Sequence, residues 1–136
     1  MVPASFTGGV SSRNLSDMNT KIIGDFGEDY VCSYIREQGM RVLARNFRFG
    51  REEIDIIAED KGAIVFIEVK ARSGVLYGLP AEAVNKTKQR SIIRAAVGYL
   101  KINKLTDRRV RFDVASVLDN ELKYIKSAFD TTGMLR

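Results

Sequence analysis

The stretch Glu53–Lys70, with the sequence EIDIIAEDKGAIVFIEVK, decides the fold of this chain. Its two halves, residues 53–58 and 63–70, are rich in β-branched and aromatic residues and favour two strands. The polar cluster 59–62 between them favours a turn. The run Ala63–Ile67 is apolar at every position, which is typical of a strand buried on both faces. The stretch therefore predicts a strand–turn–strand unit in the core of the domain.

Charged side chains follow the apolar part of this unit. Alternation along a strand places Glu68 and Lys70 on one face. It likewise places Glu53 and Asp55 on one face of the preceding strand. If 59–62 is the loop, Glu53 faces Glu68, whereas a slip of two residues puts Asp55 opposite Glu68. In both registers Asp55, Glu68 and Lys70 are direct or diagonal neighbours, roughly 5–8 Å apart. Such a cluster destabilises the fold unless something pairs it, and a divalent cation is the natural partner.

The composition excludes several classes of protein. A length of 136 residues suffices for one domain with a buried core, and 45% apolar and 29% charged residues are ordinary for a globular protein. No apolar run is long enough to cross a membrane, and the N-terminus lacks the apolar segment of a signal peptide, so we expect a cytoplasmic protein. The single cysteine, Cys32, excludes a disulfide framework and predicts a buried, inert thiol.

The charge and the absence of histidine narrow the chemistry. Twenty-two basic and 17 acidic residues give a net charge of +5, which is compatible with a polyanionic partner without requiring one. The chain contains no histidine, which excludes a histidine general base, a serine–histidine triad and histidine-ligated zinc. Any catalysis must therefore use carboxylates, lysine or a metal ion held by oxygen ligands.

The rest of the chain supplies further helices and strands. We expect a flexible leader over residues 1–18, a single domain over 19–130, and a frayed end over 131–136. The expected elements are a helix from Asn19 or Thr20 to about Gln38, a strand at 40–49, the strand pair of 53–70, a loop at 71–84, a helix from the N-cap Asn85 to about Lys101, a strand at 110–118, a reversal at Asp119-Asn120 and a weaker strand at 121–129. This order predicts an α/β fold with a central mixed sheet flanked by helices.

Several motifs resemble known families. Asp55 followed by Glu68-x-Lys70 on the next strand resembles the signature of the restriction-endonuclease-like nucleases, and the element order matches their common core. A closer resemblance, over about residues 20–118, is to the YraN-like proteins, a bacterial family of unknown function. The motifs that carry it are Gly24-x-x-Gly27-Glu28, Arg45–Arg48, Glu53–Ala58, Phe66–Arg72, Lys88-Gln89 and Arg111–Val114. The chain departs from the family pattern at Glu52, where glycine is usual, and at Ala71, where threonine is usual.

The resemblance implies a Mg²⁺- or Mn²⁺-dependent nuclease that hydrolyses DNA phosphodiester bonds and acts, like the Holliday-junction resolvases, on particular DNA structures. Asp55 and Glu68 are the expected metal ligands, and Lys70 is expected to orient or deprotonate water. Similarity to the resolvases implies that Glu28, on the first helix, completes the metal's shell, and the neighbouring Gly27 predicts close backbone packing there. Glu53 is a candidate outer-shell ligand. The alternative for Glu68 and Lys70 is a plain ion pair at a strand end.

The candidates for contacts to nucleic acid are Arg72, Lys88, Gln89 and Arg90, with Lys86 and Arg94 on the same helix. A solvated basic helix face is the alternative interpretation. Without a base-reading motif, we expect recognition of the backbone or of shape. Analogy with resolvases favours a homodimer. Two other functions stay open: a nucleic-acid-binding module with little or no catalysis, and a non-catalytic interaction protein. For Arg111 and Asp113, a structural ion pair is at least as good an interpretation as a role in the site.

Overall fold

The stretch that decides the fold forms the centre of a mixed sheet. The computed structural model describes residues 15–72 and 84–131, which form two helices and five strands. In chain order the elements are α1 (Leu15–Glu37), β1 (Arg41–Phe49), β2 (Glu52–Asp60), β3 (Ala63–Arg72), α2 (Lys86–Ile102), β4 (Val110–Leu118) and β5 (Glu121–Phe129).

The strands lie in the sheet in the order of the chain, β1-β2-β3-β4-β5. Neighbouring strands are antiparallel except β3 and β4, which are parallel because α2 carries the chain back to the starting edge. The mixed sheet with its two helices confirms the predicted α/β fold and is consistent with the restriction-endonuclease-like core. No helix in the two described ranges is both long and apolar enough to cross a membrane.

A two-residue turn joins β2 to β3. Lys61 and Gly62 both have positive φ, 50° and 89°, as in the hairpin turns whose twist matches that of the flanking strands. Glu59 and Asp60, expected in the loop, instead continue β2. The four-residue loop at 59–62 is therefore wrong, because two residues in the left-handed conformation already reverse the chain.

The turn sets the register of β2 against β3. The pairs run from Asp60 opposite Ala63 to Ile56 opposite Ile67. Continued by one residue, this register places Asp55 opposite Glu68. Of the two registers that the apolar pattern allows, the structure has the second, and the side chains of Asp55 and Glu68 interact just beyond the last pair.

Strand β3 is buried on both faces, as predicted. Ile64 and Phe66 pack in the core under α2, and Val65 and Ile67 pack in the core under α1. From α2 this first core takes Ile92, Ile93, Ala95, Ala96, Tyr99 and Leu100, and from α1 the second takes Val31, Cys32 and Ile35. The helices therefore cover opposite faces of the sheet. The Cys32 thiol is free, and burial raises its pKa, which suits the expected inert thiol.

The helix boundaries test two predicted caps. The side chain of Asn85 accepts a hydrogen bond from the Lys88 N–H at 2.8 Å, which confirms it as the N-cap of α2. Helix α1 begins at Leu15, earlier than the predicted Asn19 or Thr20. The intervening residues include no glycine or proline that would end a helix. The rest of the predicted leader, most of the predicted loop 71–84 and the last five residues lie outside the described ranges.

Candidate functional site

The ladder between β2 and β3 opens at Asp55. Beyond the last pair, Ile56 with Ile67, the Val69 N–H donates to the Asp55 carboxylate at 2.8 Å. A side chain thus takes the acceptor role that a strand carbonyl has in a regular ladder. Strict alternation also breaks here, because Ile54 packs in the core under α2 and Ile56 in the core under α1. The opening holds the Asp55 carboxylate beside the end of β3.

Asp55 and Glu68 form a close carboxylate pair in which Glu68 is buried and Asp55 is half-buried. The side chain of Glu68 is only 7% exposed. The pKa of Asp55 is raised to about 7, first because burial removes water from the charged form and then because the Glu68 charge repels it. A hydrogen bond with Glu68 raises this pKa further, and the bond from the Val69 N–H opposes the rise. Asp55 is therefore protonated more readily than an ordinary aspartate.

Two lysines flank this pair. Lys70 follows Glu68 on the same face of β3, with its Nζ 3.6 Å from Glu68 Oε2. Lys88 comes from the first turn of α2, with its Nζ 3.8 Å from the same oxygen. Both distances exceed those of charge-assisted hydrogen bonds, about 2.7–2.9 Å. The two ammonium groups thus balance charge at Glu68 without being tightly bound to it. We call Asp55, Glu68, Lys70 and Lys88 the carboxylate site.

Glu28 lies near this site because α1 packs closely on the end of β3. A Cβ built on Gly27 would lie 2.6 Å from the Cβ of Ala71, so only glycine allows this approach and the predicted close packing is confirmed. The nearest cation to Glu28 is Arg45, with Nη2 3.5 Å from Oε1. Burial and then the Asp55 charge raise the pKa of Glu28, while Arg45 and a hydrogen bond with Asn46 oppose the rise.

The structure does not bring every predicted ligand together. Within the described residues, no group of three or more cysteine or acidic side chains is close enough to hold a metal ion. Glu53 pairs with Arg48 at 3.3 Å and is 38% exposed. The site is thus a pair of carboxylates, with Glu28 near enough to interact electrostatically with Asp55 and Glu53 engaged elsewhere.

The residues predicted to contact nucleic acid do not all lie on one side of α2. Lys88 reaches the carboxylate site, whereas the Gln89 amide donates to the Val84 carbonyl at 2.9 Å and holds the start of α2. Arg90 is exposed, and because successive helical residues are 100° apart it lies about 160° around α2 from Lys88. Arg72 ends β3, and its side chain lies outside the described part of the structure.

Asp113 belongs to a separate and fully bonded network. It accepts from Arg111 Nε at 3.0 Å and Nη2 at 2.9 Å, from the Tyr124 hydroxyl at 2.6 Å and from the Ser127 N–H at 2.9 Å. Arg111 Nη1 donates to Asp60 at 2.9 Å. Asp113 is completely buried. These five residues, the Asp113 network, form the structural ion pair that was one of the two interpretations.

The sequence did not predict some of the ion-pair and hydrogen-bond partners near the site. Arg45 and Asn46 contact Glu28 from β1, and the only signal for them was their place in the motif Arg45–Arg48. Glu52 stands where glycine is usual. Its carboxylate pairs with Arg94 on α2 at 2.6 Å and not with a residue of the carboxylate site. Neither pairing can be read from sequence spacing, because each joins elements that are far apart along the chain.

Comparisons with known proteins cover this whole site. The profile of the family described as uncharacterised protein family UPF0102 matches residues 27–117. A UPF0102 protein of Persephonella marina is 45% identical over 109 residues, covering 80% of this chain and 94% of that protein. One of Lachnoclostridium phytofermentans is 44% identical over 117 residues (85% and 99%), and one of Clostridium botulinum is 48% identical over 117 residues (80% and 94%). These names state a family and no activity.

Proposed function

This chain belongs to the uncharacterised protein family UPF0102, the YraN-like family, and on that premise we propose that it is a metal-dependent nuclease that hydrolyses phosphodiester bonds in DNA. The observation that carries the proposal is the close pair of Asp55 and Glu68, two carboxylates that repel each other, with two lysine ammonium groups 3.6 and 3.8 Å from Glu68. Perturbed carboxylates held by the backbone in this way are typical of catalytic sites.

The residues of the site fit a divalent cation. Mg²⁺ takes oxygen ligands, keeps several waters and is commonly held by only one or two protein carboxylates, so the pair of Asp55 and Glu68 suffices to bind it. A bound Mg²⁺ or Mn²⁺ supplies charge neutralisation for the phosphate and lowers the pKa of water. Glu28 is the third candidate ligand, directly or through a water, from its position within electrostatic reach of Asp55.

The two lysines have distinct roles in this proposal. Lys70 shares its strand face with Glu68, so its ammonium group orients the attacking water and stabilises the negative charge that develops in the transition state. Lys88 extends from the start of α2, where the helix dipole also favours an anion, and it contacts the phosphate. Arg72 and Arg90 are proposed to contact phosphates further along the strand, and Gln89 to support Lys88. A cytoplasmic location and a homodimer accompany this proposal.

The decisive experiment is cleavage of linear duplex, single-stranded and four-way-junction DNA with Mn²⁺. Asp55→Asn, Glu68→Gln and Lys70→Ala are each expected to lose activity about a hundredfold or more, since each removes a group that acts on the reacting atoms. Glu121→Gln, which changes an exposed carboxylate at the start of β5, is the matched control. If the three site variants cut as well as this control, the activity does not come from the carboxylate site and the proposal is wrong.

A second candidate function is nucleic-acid binding without hydrolysis. It is favoured by the engagement of Glu28 with Arg45, which leaves only two carboxylates in the site. Calorimetry with Mn²⁺ and DNA-binding measurements separate the candidates. A nuclease binds the cation and turns over DNA, whereas a binding module retains salt-dependent DNA binding without turnover. A non-catalytic interaction protein with a vestigial site binds no cation.

A further inference from the structure

Helix α2 carries a continuous basic surface on its solvent side. The helix has no acidic residue, and its exposed side chains between Lys86 and Lys101 are all basic except Thr87. At 100° per residue the four basic positions fall within about 80° of one another, and they span about 22 Å along the axis. We call these four residues the basic stripe: Lys86, Arg90, Arg94 and Lys101.

The basic stripe weakens the helix that carries it. Lys86, Arg90 and Arg94 follow one another at intervals of four, where like charges repel. Lys86 also lies in the first turn, where the helix dipole disfavours a cation. Only Arg94 has an ion pair among the described residues, with Glu52 at 2.6 Å, so no described carboxylate pairs with the other three. A polyanionic partner would relieve this repulsion between like charges.

An exposed aromatic ring lies beside the basic stripe. Phe49, at the end of β1, packs on α2 at Gly98, where a Cβ would overlap the ring. Glycine inside a helix destabilises the helix. At position 98 it leaves the space that the Phe49 ring occupies. Phe49 nevertheless stays 41% exposed, and it is the only exposed aromatic side chain in the described ranges. It lines a groove together with Arg51, Arg94, Lys101 and one acidic residue, Glu52, which pairs with Arg94.

We propose that the basic stripe and Phe49 form a binding surface for single-stranded nucleic acid, with phosphates along the stripe and a base stacked on the ring. Surfaces that bind single strands combine a positively charged track with aromatic side chains that stack on bases. A duplex offers phosphates to the stripe but no free base to the ring. The length of the stripe corresponds to about four to six nucleotides.

This surface is separate from the carboxylate site. Lys88, which reaches Glu68, lies between about 120° and 160° around α2 from the members of the basic stripe. The phosphates held by the stripe are therefore not the phosphate at the carboxylate pair, although both can belong to one strand, and binding to the stripe does not depend on hydrolysis. The inference rests on the proposed function and adds to it a surface that binds single-stranded nucleic acid.

The test measures binding of a fluorescent 20-nucleotide oligo-dT by anisotropy, with Asp55→Asn protein in EDTA so that no cleavage occurs. On this background Arg90→Gln and Lys101→Gln are each expected to weaken binding severalfold and to reduce the slope of log K against log salt by about 0.7. Lys123→Gln, an exposed lysine on β5, is the matched control and is expected to bind as the parent does. An oligo-U of the same length shows whether DNA or RNA is preferred.

The ring is tested separately. Phe49→Leu keeps an apolar contact with Gly98 and is expected to weaken oligo-dT binding about tenfold, with the salt slope and the affinity for a 20-base-pair duplex unchanged. Phe49→Tyr keeps an aromatic ring and is expected to bind as the parent does, and circular dichroism checks that each variant is folded.

Two outcomes overturn the inference. One is that Arg90→Gln and Lys101→Gln bind like Lys123→Gln. The other is that Phe49→Leu leaves oligo-dT binding unchanged, or weakens single-strand and duplex binding equally. Because binding is measured without divalent cation, a failure of the proposed nuclease activity leaves each of these results interpretable.

Discussion

Two buried carboxylate clusters lie in the same sheet, and their hydrogen bonding differs. In the Asp113 network, the carboxylate accepts from a guanidinium, a hydroxyl and a backbone N–H, all within 3.2 Å. In the carboxylate site, Asp55 accepts from one backbone N–H and shares a hydrogen bond with Glu68, and the nearest described cations to Glu68 are lysines at 3.6 and 3.8 Å. In one cluster the carboxylate is held by several strong donors, and in the other two carboxylates lie against each other with their lysines further away.

The pKa shifts of the carboxylates also differ between the two clusters. Hydrogen bonding to Arg111 lowers the pKa of Asp60 in the Asp113 network. Burial and the charge of Glu68 raise the pKa of Asp55 to about 7. A carboxylate that only stabilises the fold is expected to have its hydrogen bonds made within the protein. A carboxylate that binds a cation is expected to be repelled by neighbouring carboxylates when the cation is absent. Burial alone therefore does not distinguish the two clusters, whereas the number and kind of their hydrogen-bond donors does.

The largest expected effect is on the Asp113 network. Asp113→Ala removes one partner of a buried ion pair and leaves Arg111 and the Tyr124 hydroxyl short of an acceptor, so we expect a loss of about 3–5 kcal/mol in the free energy of unfolding. Urea denaturation measures it, with Glu121→Gln as the control. A loss below about 1 kcal/mol would show that this network contributes little to the fold and would break the comparison.

The carboxylate site should respond to a cation where the Asp113 network does not. At pH 8, Mn²⁺ at a hundred times its dissociation constant is expected to stabilise the protein by about 2.7 kcal/mol. The same Mn²⁺ should leave Glu68→Gln unchanged, because that variant lacks one of the two ligands. Thermal unfolding followed by circular dichroism measures both. Equal stabilisation of the two proteins would place the cation elsewhere.

The pH dependence of stability sharpens the comparison. Asp55 has a folded-state pKa of about 7 against an ordinary value of 3.8, so the folded protein binds more protons than the unfolded chain between these values. Its contribution to stability is therefore present at low pH and is lost as pH rises from about 4 to about 7. We expect Asp55→Asn to remove this loss and, at pH 8 in EDTA, to be more stable than wild type by about 2 kcal/mol.

Urea denaturation from pH 4 to pH 8, taken as the difference between the two proteins, isolates this term from other titrating groups. The difference should grow through that range and level off above pH 7. A difference that is constant with pH would mean that Asp55 is charged throughout, with no raised pKa.

The smallest expected effect concerns Glu28. Arg45 is about one-third exposed and pairs with both Glu28 and Asp29, so Arg45→Gln should cost less than about 1 kcal/mol of stability. The measurement is again urea denaturation, alongside the Mn²⁺ titration of wild type. A larger loss would mean that Glu28 belongs with the structural carboxylates, as Asp113 does.

The sequence alone was sufficient for features that depend on neighbours along the chain. The burial of Ala63–Ile67 on both faces, the cap at Asn85 and the bounds of β4 and β5 all agree with the structure. The Asp119-Asn120 reversal agrees too, since both residues have positive φ. Periodicity, capping and turn chemistry are local properties, so a short segment determines them.

The tertiary structure decided which side chains meet. Asp55 and Glu68 were predicted as neighbours, but the choice between two registers depended on the turn at Lys61-Gly62. Glu53 has the right residue type and spacing for the site, yet its partner is Arg48.

Glu28 and α2 show the same limit. The direct partners of Glu28 lie on β1, and the side of α2 that faces the site carries Lys88 and not Arg90. Such contacts join elements that are distant along the chain, and their geometry follows from how the helices pack on the sheet. The sequence therefore determined the elements and the residue types near the candidate site, and only the packing decided which charged side chains pair closely and which lie further apart.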